Sequence, residues 1–451
     1  MLLRTLKPSH LWARLTMRFS MPFSLLLILF SASNNSFATE SAYRETALRA
    51  ALWLQSKAIK TPTGKTWPPD PLKSEDRSVI LYNGSPGVVL FFAYLSKETG
   101  QKVWMEEAEQ GGDYLLKILP EELPGYFPAS LYSGVSGIGF VLEELHGLSG
   151  REKYRMGAQK CVALIRKLTE NPENLTKNVT SDIISGTAGT GLFLLYATKR
   201  FDPSALELAK IMGDSLIKSA IREGDQWRWR MRPDYESLMP NFSHGTAGVV
   251  FFLARLYEET GHETYLNAAL AGARRLKSLV KPDGLIHHNS VDGKDLYYLG
   301  WCHGPSGTSR TWLQLMRVTR DPQWMKLYET SINTLVSLDP SKHRTPGFWN
   351  NVGVCCGSVG VAQCALSGHE EKNNEAWLDL ARNLTQDIIE RASEEENGLM
   401  WVQAEHRVKP ELLIAQTGLM QGAAGIGLLM LRMDAFQKGH SLGLRFPDEP
   451  Q

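Results

Sequence analysis

At 451 residues the chain is long enough to bury a large core, as two or three average domains or as a single large ring or barrel. Lys and Arg number 49 against 48 Asp and Glu, a formal net charge of +1, which offers no basic surface to nucleic acid or anionic lipid. With 43% hydrophobic and 22% charged residues the composition is that of an ordinary soluble protein, and five cysteines are too few for a disulfide framework at this size.

In chain order, the first forty residues stand apart. Arg4, Lys7, Arg14 and Arg18 precede the apolar run 21–32, followed by polar residues and a small-residue ending at Ala38. This is the three-part pattern of a secretory signal cleaved after Ala38, and a run of twelve is too short to span a bilayer comfortably. An uncleaved anchor, or a start at Met17 or Met21, are the other readings. The expected organisation is therefore a signal over 1–38 and one domain over 39–451. It places the protein outside the cell or in the periplasm if the signal is used, and in the cytoplasm otherwise. No later stretch reaches eighteen uninterrupted apolar residues, so no transmembrane helix is expected in the mature chain.

From residue 41 onward the chain repeats. A Gly-x-x-Gly step begins at Gly84, Gly134, Gly186, Gly245, Gly304, Gly357 and Gly422, at intervals of 50, 52, 59, 59, 53 and 65 residues. An apolar stretch follows each step, such as "VVLFFAYLSK", "TGLFLLYATKR" or "VVFFLARLYEE", and reads as a buried helix. Between these lie stretches with apolar residues at i, i+3, i+4 and i+7, including 41–59, 262–280 and 374–392, which read as outer helices. A helix apolar all round must be enclosed, and a helix with one apolar stripe must cover something. Seven such pairs predict an all-α fold, an α/α toroid with an inner and an outer ring, its inner helices all pointing the same way. An open solenoid is the alternative, but its repeats usually run 33 to 47 residues. The glycines would let seven helix starts crowd at one end of the axis.

The residues just before the first glycine of each step are then expected to face a common centre: Asn83, Ser133, Ser185, His244, His303, Cys356 and Gln421. One position earlier stand Cys302 and Cys355, so soft ligands fall in the consecutive units four, five and six. Cys302, Cys355 and Cys356 can give three thiolates to one Zn²⁺ and leave its fourth position open, as catalytic zinc requires. Alternatively, Cys355 and Cys356 can form a vicinal disulfide, or the three can be small core residues. Cys161 and Cys364 lie in helical stretches and read as core. His244, one unit from the cysteines, is a candidate acid or base. His303 is a fourth ligand or a substrate contact. Asp182, four residues before Gly186, orients a histidine, shuttles a proton or caps a helix.

With "WCHGPSG" (301–307), "CCG" (355–357) and "SHGTAG" (243–248), the chain resembles the lanthionine cyclases, the LanC and LanC-like family, over essentially its whole length after the signal. That resemblance implies a toroid of seven helix pairs and a zinc ion that activates a thiol for addition to a dehydrated serine or threonine. It matches Cys302 to the first zinc cysteine, Cys355 and Cys356 to a Cys-His pair, His244 to the active-site histidine and Asp182 to the aspartate before the third step. Tyr298 stands where an arginine is expected. The implied partners are a dehydrated peptide or a small thiol, with a separate dehydratase preparing the acceptor. A carbohydrate-active toroid would need a carboxylate pair, and a catalytically silent scaffold would keep the architecture without turnover.

Overall fold

The computed structural model describes residues 41–124, 128–171, 180–291 and 293–450; the expected signal, 1–38, lies outside them. Seven helices each begin directly after a Gly-x-x-Gly glycine: α2 (Ser85–Thr99), α4 (Val135–Ser149), α6 (Thr187–Arg200), α8 (Thr246–Thr260), α10 (Pro305–Thr319), α12 (Ser358–Lys372) and α14 (Ala423–Gln437). In every case that glycine is the extended N-cap residue, and Pro86 and Pro305 reinforce two of the first turns. Gly100, Gly150 and Gly261 end three of these helices in the left-handed conformation. At the matching places of α10 and α12, Arg320 and Asn373 adopt it without being glycine.

The amphipathic helices α1 (Ala42–Ser56), α3 (Lys102–Ile118), α5 (Glu152–Thr169), α7 (Ala205–Ser219), α9 (Glu263–Leu279), α11 (Pro322–Leu338) and α13 (Glu375–Glu390) pack around them. Six pairs are sequential hairpins, inner helix first: α2/α3 through α12/α13. The seventh joins the two ends of the domain, α14 with α1. There Ser41 Oγ donates to one oxygen of the fully buried Asp434, and Arg44 Nε reaches the other at 3.0 Å. Each inner helix also packs on the next, with α14 on α2, so the ring is closed and the predicted toroid is the fold. Among the described residues no helix is long and apolar enough to cross a membrane.

Among the described residues, four antiparallel hairpins with three-residue strands, which helical periodicity does not announce, decorate the loops: β1/β2 (Ile59–Thr61, Gly64–Thr66), β3/β4 (Ile221–Glu223, Gln226–Arg228), β5/β6 (Ser393–Glu395, Gly398–Met400) and β7/β8 (Val402–Ala404, Leu413–Ala415). After the first three of them stand Trp67, Trp229 and Trp401, whose indole N–H groups donate to Leu54, Leu216 and Ile388 carbonyls at 2.7–2.8 Å. Each pins its hairpin to the end of the preceding outer helix.

The turns before the inner helices are laced into a backbone ring. Tyr82 N donates to Tyr132 O, Tyr132 N to Ile184 O, Ile183 N to Ser243 O, Ser243 N to Cys302 O, Cys302 N to Cys355 O, Cys355 N to Met420 O and Met420 N to Tyr82 O, at 2.8–3.2 Å. Beneath it lies an apolar floor of Leu81, Leu131, Ile183, Phe242, Trp301, Val354 and Leu419, all buried. The crowding at the glycines is more local than a meeting of seven helix starts. A Cβ on Gly307 would lie 1.9 Å from the carbonyl oxygen of Trp301 in its own turn and 2.8 Å from Phe242 Cβ of the preceding unit. Gly307→Ala is therefore expected to destabilise the domain by about 1–3 kcal/mol, the usual cost of overpacking against rigid backbone, read as a lowered denaturant midpoint. An unchanged midpoint would show that the turn can yield.

Candidate metal centre

The ring brings units five and six together. The Cys302 N–H···O=C Cys355 bond of 2.9 Å holds the two turns side by side. Cys302 Sγ then lies 3.3 Å from Cys356 Sγ, and Cys356 Sγ lies 3.4 Å from Cys355 Sγ. All three sulfurs fall within 4.8 Å of one another, and among the described residues they form the one group of three or more His, Cys, Asp or Glu ligands so placed. Tetrahedral zinc with bonds of about 2.3 Å separates its sulfurs by about 3.8 Å, so the trio fits that ion in both spacing and softness. The cysteines are unpaired, and the 3.4 Å between Cys355 and Cys356 is well beyond a disulfide bond. Cys161 and Cys364 lie buried in α5 and α12, as core residues.

Several neighbours bias one of the three, Cys355, toward thiolate. Hydrogen bonds from Cys302 and Cys356 hold the Cys355 thiol well below its ordinary range, with the Tyr82 hydroxyl and the charge of His244 acting the same way. Burial pushes Cys302 well up, and its hydrogen bonds with the other two sulfurs add to that. Cys355 is thus the sulfur that these contacts favour as the anion. A chain of amides supports it: Asn351 Nδ2 donates to Gln421 Oε1 at 2.9 Å, and Gln421 Nε2 to Tyr82 Oη at 3.1 Å. The seven inner helices all point their N-termini at this end, and their dipoles favour anionic sulfur.

His244, at the start of α8, meets Asp182 from the turn before α6. Its Nδ1–H donates to Asp182 Oδ2 at 2.5 Å, while Asp182 Oδ1 accepts from Ser185 N at 2.6 Å. Asp182 is 0% exposed and His244 keeps 27% of its side chain accessible, so Nε2 is the free end of the ring. Asp182 therefore orients a histidine and closes its own turn; it is not the N-cap residue of α6, which is Gly186. Burial depresses the His244 imidazolium, but the Asp182 charge and hydrogen bond, aided by Cys355, outweigh it and hold the pKa above the usual value. Asp182→Asn removes the raising influence and leaves the burial. In an NMR titration His244 is then expected to deprotonate below the ordinary histidine range, and an unmoved midpoint would mean that Asp182 does not set it.

His303 lies beside these groups but outside the sulfur group. It is buried, its ring is edge-on to His288 at 4.4 Å and 5.6 Å from both Tyr298 and His244. Burial, with His288 and His244 nearby, keeps it well below its usual pKa and so neutral. Tyr298, at the place of the expected arginine, accepts a hydrogen bond from Arg407 Nε at 3.1 Å. A guanidinium thus reaches this spot from the β7/β8 loop instead. Burial and the Cys302 and Cys356 charges push the Tyr298 phenol up to about 12. The sequence places Gln421 at the common centre without giving it a role, and it gives none to Tyr82, His288 or Arg407. Gln421 holds the ring position of unit seven and Tyr82 stands one residue before that of unit one, so repeat register marks both, whereas His288 and Arg407 come from loops without repeat register.

The family described as lanthionine synthetase C-like protein matches residues 75–442. Nisin cyclase is similar in structure, with a TM-score of 0.62 at 18% identity over 81% of this chain and 90% of that one. The Lin0763 protein of Listeria innocua follows with 0.52 at 15% identity over 88% and 99%. A GH76 α-mannanase of Bacteroides thetaiotaomicron gives 0.50 at 12% identity over 88% and 97%. At such identities the structural likeness carries the toroid alone. No curated protein matches the sequence. The family match extends over most of the chain, from before the first inner helix to beyond the last, and includes both cysteine turns and the His244 step: this protein belongs to the lanthionine synthetase C-like family.

Proposed function

We propose that the protein is a zinc-dependent enzyme that adds a cysteine or small-molecule thiol to a dehydroalanine or dehydrobutyrine residue, forming a thioether. The convergence of three sulfurs from two turns, within 4.8 Å, carries this reading. Cys302, Cys355 and Cys356 would hold the metal and leave one position for the substrate. When bound, zinc would supply a thiolate at neutral pH, where a free thiol of pKa near 8.5 is mostly protonated.

The chain's own residues would manage the proton and the charge. Addition forms a bond from sulfur to the β-carbon and turns the acceptor into an enolate, whose α-carbon takes a proton; the sum of thiol and alkene is conserved and no redox partner is needed. His244 would deliver that proton from Nε2, with Asp182 fixing the tautomer through Nδ1. Arg407, steadied by Tyr298, would face the negative charge that develops on the acceptor carbonyl. A separate dehydratase would have to prepare a peptide acceptor, and the expected signal over 1–38 would bring the reaction outside the cytoplasm. A carbohydrate-active toroid would instead need two carboxylates across the cleft, and Asp182 is committed to His244 and Ser185.

The test is direct. Zinc-loaded protein is incubated with a dehydroalanine peptide and a thiol, and thioether is followed by mass. Formation above the metal-free rate supports the reading; zinc binding without any acceleration would leave a silent scaffold.

A further inference from the structure

The end of the chain enters the toroid from the side opposite the metal turns. After α14 the backbone bends at Gly439 and Gly443, with φ of 77° and 79°, and the segment runs inward along the axis. His440 Nε2 pairs with Glu98 Oε2 at 2.8 Å and Lys97 Nζ donates to Leu442 O at 2.5 Å, both at the last turn of α2. Deeper, Phe446 packs on Phe140 in the second turn of α4, ring centroids 5.5 Å apart. Deepest of all, Asp448 lies fully buried behind the apolar floor. Arg310 Nη1 of α10 donates to its Oδ2 at 2.8 Å, Trp301 Nε1 to the same oxygen at 3.1 Å, and Tyr132 Oη to Oδ1 at 3.0 Å. Arg255 Nη1 secures the next carbonyl, that of Glu449, at 3.0 Å.

A lumen needs only apolar filling, which Phe446 already gives. A carboxylate at the same depth is costly unless every oxygen is paired, and its partners are not indifferent ones. Trp301 is bonded to Cys302, and Tyr132 stacks edge-on against Trp301 at 5.3 Å. Asp448 thus grips, from behind, the side chain whose backbone presents the first sulfur.

We infer that Asp448 is a positioning residue for the metal turn: the C-terminal segment plugs the back of the toroid and, through the Asp448–Trp301 hydrogen bond, fixes where Cys302 stands. This rests on the zinc reading above and extends it, because outer groups that orient a ligand typically change metal affinity by about 10- to 100-fold.

The experiment compares full-length wild type with Asp448→Ala, Asp448→Asn and Trp301→Phe, the last removing the indole N–H. Circular dichroism reports folding, zinc affinity is taken by chelator competition, and alkylation of Cys302 in the metal-free protein is mapped by mass. Zinc affinity lower by about 10-fold or more in Asp448→Ala and in Trp301→Phe, with a smaller loss in Asp448→Asn and faster Cys302 alkylation in all three, is the expected result. Unchanged affinity and alkylation in folded variants would overturn the inference and leave the tail as packing. If Asp448→Ala does not fold, Trp301→Phe and Asp448→Asn decide by the same two readouts. If the wild type itself takes no zinc, the metal reading fails separately, and the Cys302 alkylation rates alone support or overturn the positioning role.

Discussion

Cys302→Ala is expected to abolish tight zinc binding while leaving the toroid folded. Three thiolates define the proposed shell, and removing the one from unit five leaves two adjacent cysteines on a single turn, too few to close a site. The fold does not depend on that ion. It is held by seven helix pairs, by the latch of Ser41 and Arg44 on Asp434, and by the ring of backbone hydrogen bonds in which Cys302 takes part through its amide and carbonyl, which alanine retains. The buried sulfur lost is about one methylene's worth of packing, on the order of 1 kcal/mol. The variant should therefore unfold near the temperature of zinc-stripped wild type, below the zinc-loaded protein by the binding contribution alone. Loss of helical circular dichroism in the variant would make the metal a structural one.

His244→Ala is the complementary case: zinc retained, thioether formation slowed by about 10² to 10⁴-fold, the usual range for a general acid or base. The loss should fall on the step that places a proton on the α-carbon, so solvent deuterium incorporation there becomes slow as well. The sign of the pH dependence follows from the site. An acid must be protonated to act, and Asp182 holds the His244 proton to higher pH than an ordinary histidine; in Asp182→Asn the alkaline limb of the rate profile should move to lower pH. Equal rates for His244→Ala and wild type would remove the histidine from the mechanism.

Much of this architecture can be read from spacing because a ring forces equivalence: what stands before Gly304 must stand near what precedes Gly357. The outer helices expected over 41–59, 262–280 and 374–392 lie at Ala42–Ser56, Glu263–Leu279 and Glu375–Glu390. The same register brings Cys302 to Cys355 and Cys356, and Asp182 to His244. Features without a period stay hidden. That α1 closes the circle on α14 is a contact between the ends of the domain. Arg407 reaches Tyr298 from a loop more than a hundred residues away, and Asp448 reaches Trp301 by threading the lumen. Nothing in local composition marks either one, since an exposed arginine on a hairpin loop and an aspartate after a proline are both common at surfaces. The sequence leaves Asp182 open between orienting a histidine, shuttling a proton and capping a helix; its contacts, one oxygen on Ser185 N and one on His244, come only with the fold.

The decisive measurement is elemental analysis of the purified protein with its thiols reduced. About one zinc ion per chain is expected, vanishing in Cys302→Ala. A wild-type chain that carries no zinc and takes none up, with Cys302, Cys355 and Cys356 all titrating as free thiols, would contradict the proposed centre.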